Sequence, residues 1–327
     1  LILGLIGAFA HYRKDRGNFV VNLLLFILTG IAIVVYLNEI PITPRERDYA
    51  FVGSFYTFSI WIGLGCIAII EKFKKLRDNH HATAAVLSVL FLSVPALLLY
   101  QNYSSHNRSN RYTTRDYAKN MLESCDKDAL LFTTADNDTY PIWYMQEVEG
   151  VRPDVRQILE PFMSLDWYAD QFNQKFEGKK KLEFGYTGKQ LLMDSNMYFP
   201  VIQKIDTTID LKKVLGFIKS DDPRTMVEGR NNIKYHFIPG NDITIKVNKF
   251  NFVKSCSYFK LDENLVPDEI KFKISSESLT RDEIFVLDLI ARNDWEKPIY
   301  FGSPNFMQNI GLGEYLYPEG LLYRFSP

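Results

Sequence analysis

Cysteine is scarce in this chain: three residues in 327 are too few for a disulfide framework. Cys66 lies inside an apolar run, so only Cys125 and Cys256 are left as a pair open to bridging outside it. Net charge is missing as well. The 38 Lys and Arg nearly cancel the 39 Asp and Glu to leave −1, which argues against a nucleic-acid partner. The five histidines do not gather: His80 and His81 adjoin each other, while His11, His106 and His236 are isolated, so no metal-ligand set is visible. No spacing fits a Ser-His-Asp or Cys-His arrangement, a Walker loop or a Gly-rich dinucleotide turn. No cofactor is identified, and the use of a divalent metal stays open. The chain starts at Leu1 without an initiator methionine or a basic segment before Leu1–Ala10, so neither a signal peptide nor a natural start is expected there. Leu321 to Phe325 reads as a strand that stops at Ser326 and Pro327, and sequence is expected beyond both ends.

What is present divides near residue 100. Up to Tyr100 apolar runs dominate, and from Gln101 onward charged and polar residues recur, so two domains are expected, 1–100 and 101–327. Residues 19–37, 51–70 and 83–100 each have about the 20 residues that cross a bilayer core, and residues 1–10 read as part of a fourth span. The competing reading, buried helices of a soluble core, requires three consecutive uncharged helices of bilayer length. The connectors set the orientation. His11–Asn18 carries Arg13, Lys14 and Arg16, and Glu71–His81 carries Lys72, Lys74, Lys75 and Arg77, so both are expected on the cytoplasmic side. Residues 38–50 and everything after Tyr100 then lie outside, which in a bacterial inner membrane is the periplasm.

The outer loop Asn38–Ala50 holds four charges in a row: Arg45, Glu46, Arg47 and Asp48. Pro41 and Pro44 keep the approach extended, so Arg45 and Arg47 are presented at headgroup depth beside Tyr49. Guanidinium forks there suit a phosphate or pyrophosphate, with Glu46 and Asp48 as organisers. The alternative is that the four charges pair among themselves and cap a helix at the interface.

Beyond the membrane part, the sequence predicts a helix over 111–124 with Thr113 or Thr114 as N-cap, and a strand over 129–133. A polar stretch, Asp136-Asn137-Asp138-Thr139, follows, then a helix over 140–149 ended by Gly150 and a strand over 154–159. A polar loop at the carboxyl end of the first strand is where a doubly wound sheet places a ligand. Near the end, helix 279–293, strand 298–302 and polar turn 303–310 repeat that order at low identity. A helix over 211–219 and strands over 234–239, 242–247 and 269–275 lie between, so a mixed sheet fits better than a purely parallel one. Asp136-Asn137-Asp138 is like the Asp-x-Asp arrangement that holds a metal against a nucleotide sugar. Such residues also make an Asx-turn with Asp138 or Thr139 as N-cap. Trp143, Tyr144, Trp167 and Tyr168 stack on sugars in one reading and pack the core in the other.

Asn38–Ala50 followed by Phe51-Val52-Gly53-Ser54-Phe55-Tyr56, together with Asp136-Asn137-Asp138-Thr139-Tyr140-Pro141-Ile142-Trp143-Tyr144, resembles a bacterial family of large membrane proteins. That family is related to the animal transmembrane O-mannosyltransferase of plexin-type ectodomains and is grouped with glycosyltransferases of the type C fold. The resemblance implies many membrane helices, a catalytic acidic residue in a first outer loop, a polyprenyl-phosphate sugar donor and an extracytoplasmic protein acceptor. That first loop would precede Leu1, so the catalytic residue is expected outside this sequence and the piece inactive alone. The rival class is a non-catalytic membrane-anchored binding or scaffold module whose Asp136–Thr139 loop holds a ligand. A transporter fits less well, because the three spans lack buried charges and broken helices.

Overall fold

The computed structural model describes residues 1–38, 47–72, 79–172, 182, 185–186, 197–220, 222–229, 233–256 and 261–327. They form two compact units, Leu1–Asn110 and Arg111–Pro327, each described on its own.

The first unit is helical: α1 (Ile2–Lys14), α2 (Arg16–Leu28), α3 (Ile31–Leu37), α4 (Val52–Lys72, entered through a 3-10 turn at Asp48–Phe51) and α5 (His80–His106). Three helical stretches are long and apolar enough to cross a membrane: Arg16–Leu37, Asp48–Lys72 and His80–His106, of 22, 25 and 27 residues. Each runs a few residues past the apolar stretch read from the sequence, because helix-tolerant polar residues such as Arg16, Lys72 and Gln101 prolong it. None of the apolar window of α5 is buried, so its side chains require an apolar surrounding. One expectation is corrected, since the first stretch is a broken helix. α2 stops at Leu28, the Thr29 hydroxyl turns back to the Leu25 carbonyl at 2.7 Å, and α3 restarts after Gly30. A Cβ on Gly30 would come within 2.8 Å of both the Phe26 carbonyl and the Ser54 hydroxyl, so the turn needs glycine there. Unbroken spans therefore no longer weigh against a transporter.

Glycines also set the contact of α1 with α4. A Cβ on Gly7 would lie 1.7 Å from the Trp61 carbonyl oxygen, and one on Gly65 2.1 Å from that of Leu3, so the backbones approach as small-residue helix pairs do. Lys14 and Glu71 pair at the ends of the two helices. Gly7→Leu is expected to destabilise this pairing by about 1–3 kcal/mol. Cross-linking between cysteines placed on α1 and α4 should drop accordingly, and an unchanged yield would mean the helices do not depend on this approach.

The second unit runs α6 (Thr113–Glu123), β1 (Leu130–Thr133), α7 (Asp136–Glu147), β2 (Arg156–Leu159), α8 (Asp166–Gln171), β3 (Tyr198–Pro200), β4 (Ile209–Asp210) and α9 (Leu211–Ile218). It continues with β5 (Met226–Glu228), β6 (Lys234–His236), β7 (Asp242–Lys246), α10 (Lys249–Ser255), β8 (Glu269–Lys273), β9 (Ser278–Thr280), α11 (Arg281–Asn293), β10 (Ile299–Phe301), α12 (Asn305–Asn309), β11 (Leu316–Glu319) and β12 (Leu322–Phe325). The main sheet has the order β11-β12-β10-β1-β2; β10, β1 and β2 are parallel, β12 runs antiparallel to β10 and β11 antiparallel to β12, so the sheet is mixed. β1 and β10, the strands of the two weakly alike sequence units, lie side by side in register from Leu130 opposite Ile299. Alternation divides the faces: Leu130, Phe132, Ile158 and Phe301 enter the large core with α11, and Leu131 and Tyr300 meet Ala118, Met121, Leu122, Ile142 and Met145 on the other side. Smaller sheets join β4-β7-β8, β3-β9 and β5-β6.

The cysteine pair left open by the sequence is not made, and all three thiols are free. Cys125 is buried with its sulfur on the Met121 carbonyl, and burial pushes its thiol up to about 12. Cys256 accepts from Arg324 Nη2 at 3.3 Å. Each sulfur thus has its own partner.

Candidate functional site

β1 ends on Thr133, and the side chains around that end form a closed polar chain. Gln157 Nε2 donates to Thr133 Oγ1 at 2.5 Å, the Thr133 and Thr139 hydroxyls meet at 2.6 Å, and Trp143 Nε1 donates to Gln157 Oε1 at 2.6 Å. Thr133, Thr139 and Gln157 are buried, so these bonds are made in low dielectric and fix the first turn of α7 over β1 and β2.

Asp136, Asn137, Asp138 and Thr139 are therefore not a loop but the opening turn of α7. Ala135 occupies the N-cap without a side-chain bond, which corrects the placing of Asp138 or Thr139 there. Asp136 and Asp138 suit that turn because the helix end carries partial positive charge. The following helix also ends early, at Glu147, with Gly150 at φ +67 completing the turn. On α6 the N-cap is Tyr112, so Thr113 and Thr114 fall inside the helix.

Asp138 is half-buried, and that burial holds its pKa above the ordinary value. It faces Gly302, the residue after β10: a Cβ there would stand 3.8 Å from Asp138 Oδ2, an ordinary contact. Tyr117 of α6 adjoins the same place; burial, then the Asp138 charge, raises its phenol pKa. These residues gather at the carboxyl ends of β1 and β10, where the connections leave in opposite directions, and open α/β sheets bind ligands at that position.

A further carboxyl was missed by the sequence reading. Glu160 directly follows β2, is buried, and has a pKa pushed up to about 8, first by burial and then by the charge and hydrogen bond of Asp282 at the start of α11. Its position one residue past a strand was the only signal, because Asp282 lies far along the chain. The end of the parallel strands thus offers a half-buried acceptor in Asp138 and a proton-holding carboxyl in Glu160. Both suit hydrogen bonding to hydroxyls.

The aromatic residues depart from the core-packing reading. Trp143, Tyr144 and Trp167 are 36%, 44% and 56% exposed, and only Tyr168 is buried, its hydroxyl accepting from the Leu159 backbone N–H at 2.8 Å. Sequence spacing cannot distinguish an aromatic stripe that faces a core from one that faces water.

In the first unit, Arg47 precedes the 3-10 turn Asp48–Phe51 that leads into α4, Asp48 opens that turn, and Tyr49 is exposed. Arg45 and Glu46 lie outside the described residues. Among the described residues no group of three or more His, Cys, Asp or Glu is arranged to hold a metal.

Comparison with known proteins adds the following. The mouse protein named "Protein O-mannosyl-transferase TMEM260" is 24% identical over 123 residues, which cover 37% of this chain and 17% of that protein. The Dictyostelium discoideum protein named "Protein O-mannosyl-transferase tmem260" is 23% identical over 188 residues, 51% of this chain and 23% of that one. The chain thus spans less than a quarter of the length of these relatives. No solved structure matches. The family model described as TMEM260-associated domain 2 matches residues 114–327, nearly the whole second unit and more than half of the sequence, and this chain belongs to that family.

Proposed function

We propose that the chain forms part of a membrane glycosyltransferase that moves a sugar from a lipid-phosphate donor to an extracytoplasmic protein acceptor. The observation that carries this is the position of Arg47-Asp48-Tyr49 at the very start of a helix long enough to cross a bilayer, in a chain whose relatives are named O-mannosyl-transferases. A guanidinium at such a helix end lies where lipid phosphates lie. Arg45 and Arg47 grip the donor phosphate through charge-assisted forks, and Glu46 and Asp48 orient them, with Tyr49 alongside at the interface. The ion pair of Lys14 with Glu71 supports placing the two basic connectors on one side, the cytoplasmic one. The loop 38–50 and the α/β unit are then outside, where the α/β unit presents the acceptor. The first ten residues contribute to a further span.

The test is transfer of radiolabelled sugar from polyprenyl-phosphate donors by the full-length protein in membranes. Losing two charged hydrogen-bond donors, as in the Arg45→Ala, Arg47→Ala double variant, is expected to lower transfer at least about a hundredfold with insertion intact. Equal transfer by the variant removes the phosphate role. No transfer by the wild type from any donor favours the anchored binding module.

A further inference from the structure

The outward stripe of α7 reads Asp136, Tyr140, Trp143, Tyr144 and Glu147, at spacings that bring all five onto one side of the helix. Its opposite side, Thr139, Ile142, Met145 and Gln146, is buried against the sheet. Tyr140 is 48% exposed, its ring centroid 5.4 Å from that of Trp143 at an interplanar angle of 43°. Two of the three rings are held in place within the unit: Gln157 takes the Trp143 indole N–H, and the Tyr144 hydroxyl donates to Glu149 at 2.8 Å. Rings fixed in this way lose little freedom when something settles on them.

We infer that this stripe is a binding platform for neutral pyranose sugars. A pyranose has an apolar C–H face rimmed by hydroxyls, and it needs what the stripe supplies: exposed aromatic faces, with carboxylate acceptors beside them for the rim. Charge narrows the choice. The titratable groups around the rings include Asp136, Glu147, Glu149 and the tyrosines themselves, with Arg115 and Asp116 of α6 near Tyr144 and Glu149. Carboxylates predominate among these described groups, and Arg115 is itself paired with Asp116, so phosphates, uronic acids and anionic headgroups are disfavoured. Length fits as well: from Asp136 to Glu147 the helix rises about 16 Å, the span of two or three sugar rings. The inference rests on the glycosyltransferase reading only in naming a hexose of the kind transferred, and it gives the second unit a role in holding glycan on the acceptor.

The probe is a mannose disaccharide, titrated against the full chain in lipid nanodiscs and followed by saturation-transfer NMR, with the glucuronic acid monosaccharide as control. Saturable binding of the disaccharide and none of glucuronate is expected. The Tyr140→Ala, Tyr144→Ala double variant should bind about tenfold or more weakly, from the worth of two ring contacts, and Tyr140→Phe, which keeps that ring and leaves the Tyr144 hold on Glu149 intact, should bind as wild type does. If the Ala pair misfolds by circular dichroism, Tyr140→Ala alone and the glucuronate control still decide. No saturable binding by the wild type, equal affinity of the folded Ala variant, a weakened Tyr140→Phe, or equal binding of glucuronate overturns the inference. Transfer that persists without disaccharide binding overturns this inference alone. Binding without transfer from any donor overturns the glycosyltransferase reading and leaves the platform standing.

Discussion

Replacing Asp288 by alanine is expected to destabilise the α/β unit by about 3–5 kcal/mol, because it strands the Lys219 ammonium in the interior without its partner. The Asp288 side chain is 1% exposed in the middle of α11 and is surrounded by donors. Lys219 Nζ binds one of its oxygens, Arg292 Nε lies 3.2 and 3.1 Å from the two, and the Gly185 backbone N–H donates at 2.8 Å. Lys219 also sits over the Tyr186 ring at 4.3 Å, and burial lowers its pKa against the opposing pull of Asp288. Without the carboxylate, Lys219 either stays charged and unpaired or gives up its proton, and both are costly. The check is the urea unfolding of the full chain, with amide exchange of α11 as a local readout. A cost below about 1 kcal/mol would mean that water reaches the cluster. Pairing Asp288→Leu with Lys219→Met should recover much of the loss, since a well-packed apolar pair often equals a buried ionic one.

Stability should also fall steadily between about pH 4.5 and 8 on account of one side chain. Glu160 holds its proton up to about 8 against an ordinary value of 4.5, so the folded chain binds that proton more tightly than the unfolded one. Its contribution is complete below the lower value, declines as pH rises through the window, and is gone above the higher one. Glu160→Gln keeps the neutral, hydrogen-bonding form at every pH. Wild type and variant should therefore have the same melting point at the acid end of the window. At the alkaline end the variant should be the more stable by on the order of 2–4 kcal/mol. Asp154, held down to about 2 chiefly by the Arg152 hydrogen bond, acts in the opposite direction and only at lower pH, so it does not blur the comparison. Parallel melting points of the two proteins from pH 4.5 to 8 would show that water reaches Glu160.

Much of the architecture could be read from local pattern. Leu130–Thr133, Asp242–Lys246, Glu269–Lys273 and Arg281–Asn293 form where periodicity and caps put them, within two or three residues. Errors came where a local rule met a tertiary contact. Asp138 and Thr139 have good N-cap chemistry, yet the helix starts earlier, because Thr139 is drawn inward to the Thr133 hydroxyl. Thr29-Gly30 has no breaker beyond a single glycine, yet the helix breaks there because α4 crowds it through Ser54. Part of the candidate site was legible: Asp136–Thr139 stood out as a polar run after a strand. Glu160 with Asp282, and Asp138 with Gly302, were not, since each joins residues from distant parts of the chain.

The sequence by itself determined the bilayer-length apolar stretches, the basic connectors and the mixed α/β order, because hydrophobic length, charge and period are properties of consecutive residues. Only the tertiary structure decided which aromatic side chains face water and which carboxyls hold protons. Exposure and dielectric depend on what the rest of the chain places opposite a residue, and Trp143 and Glu160 carry no local mark of either.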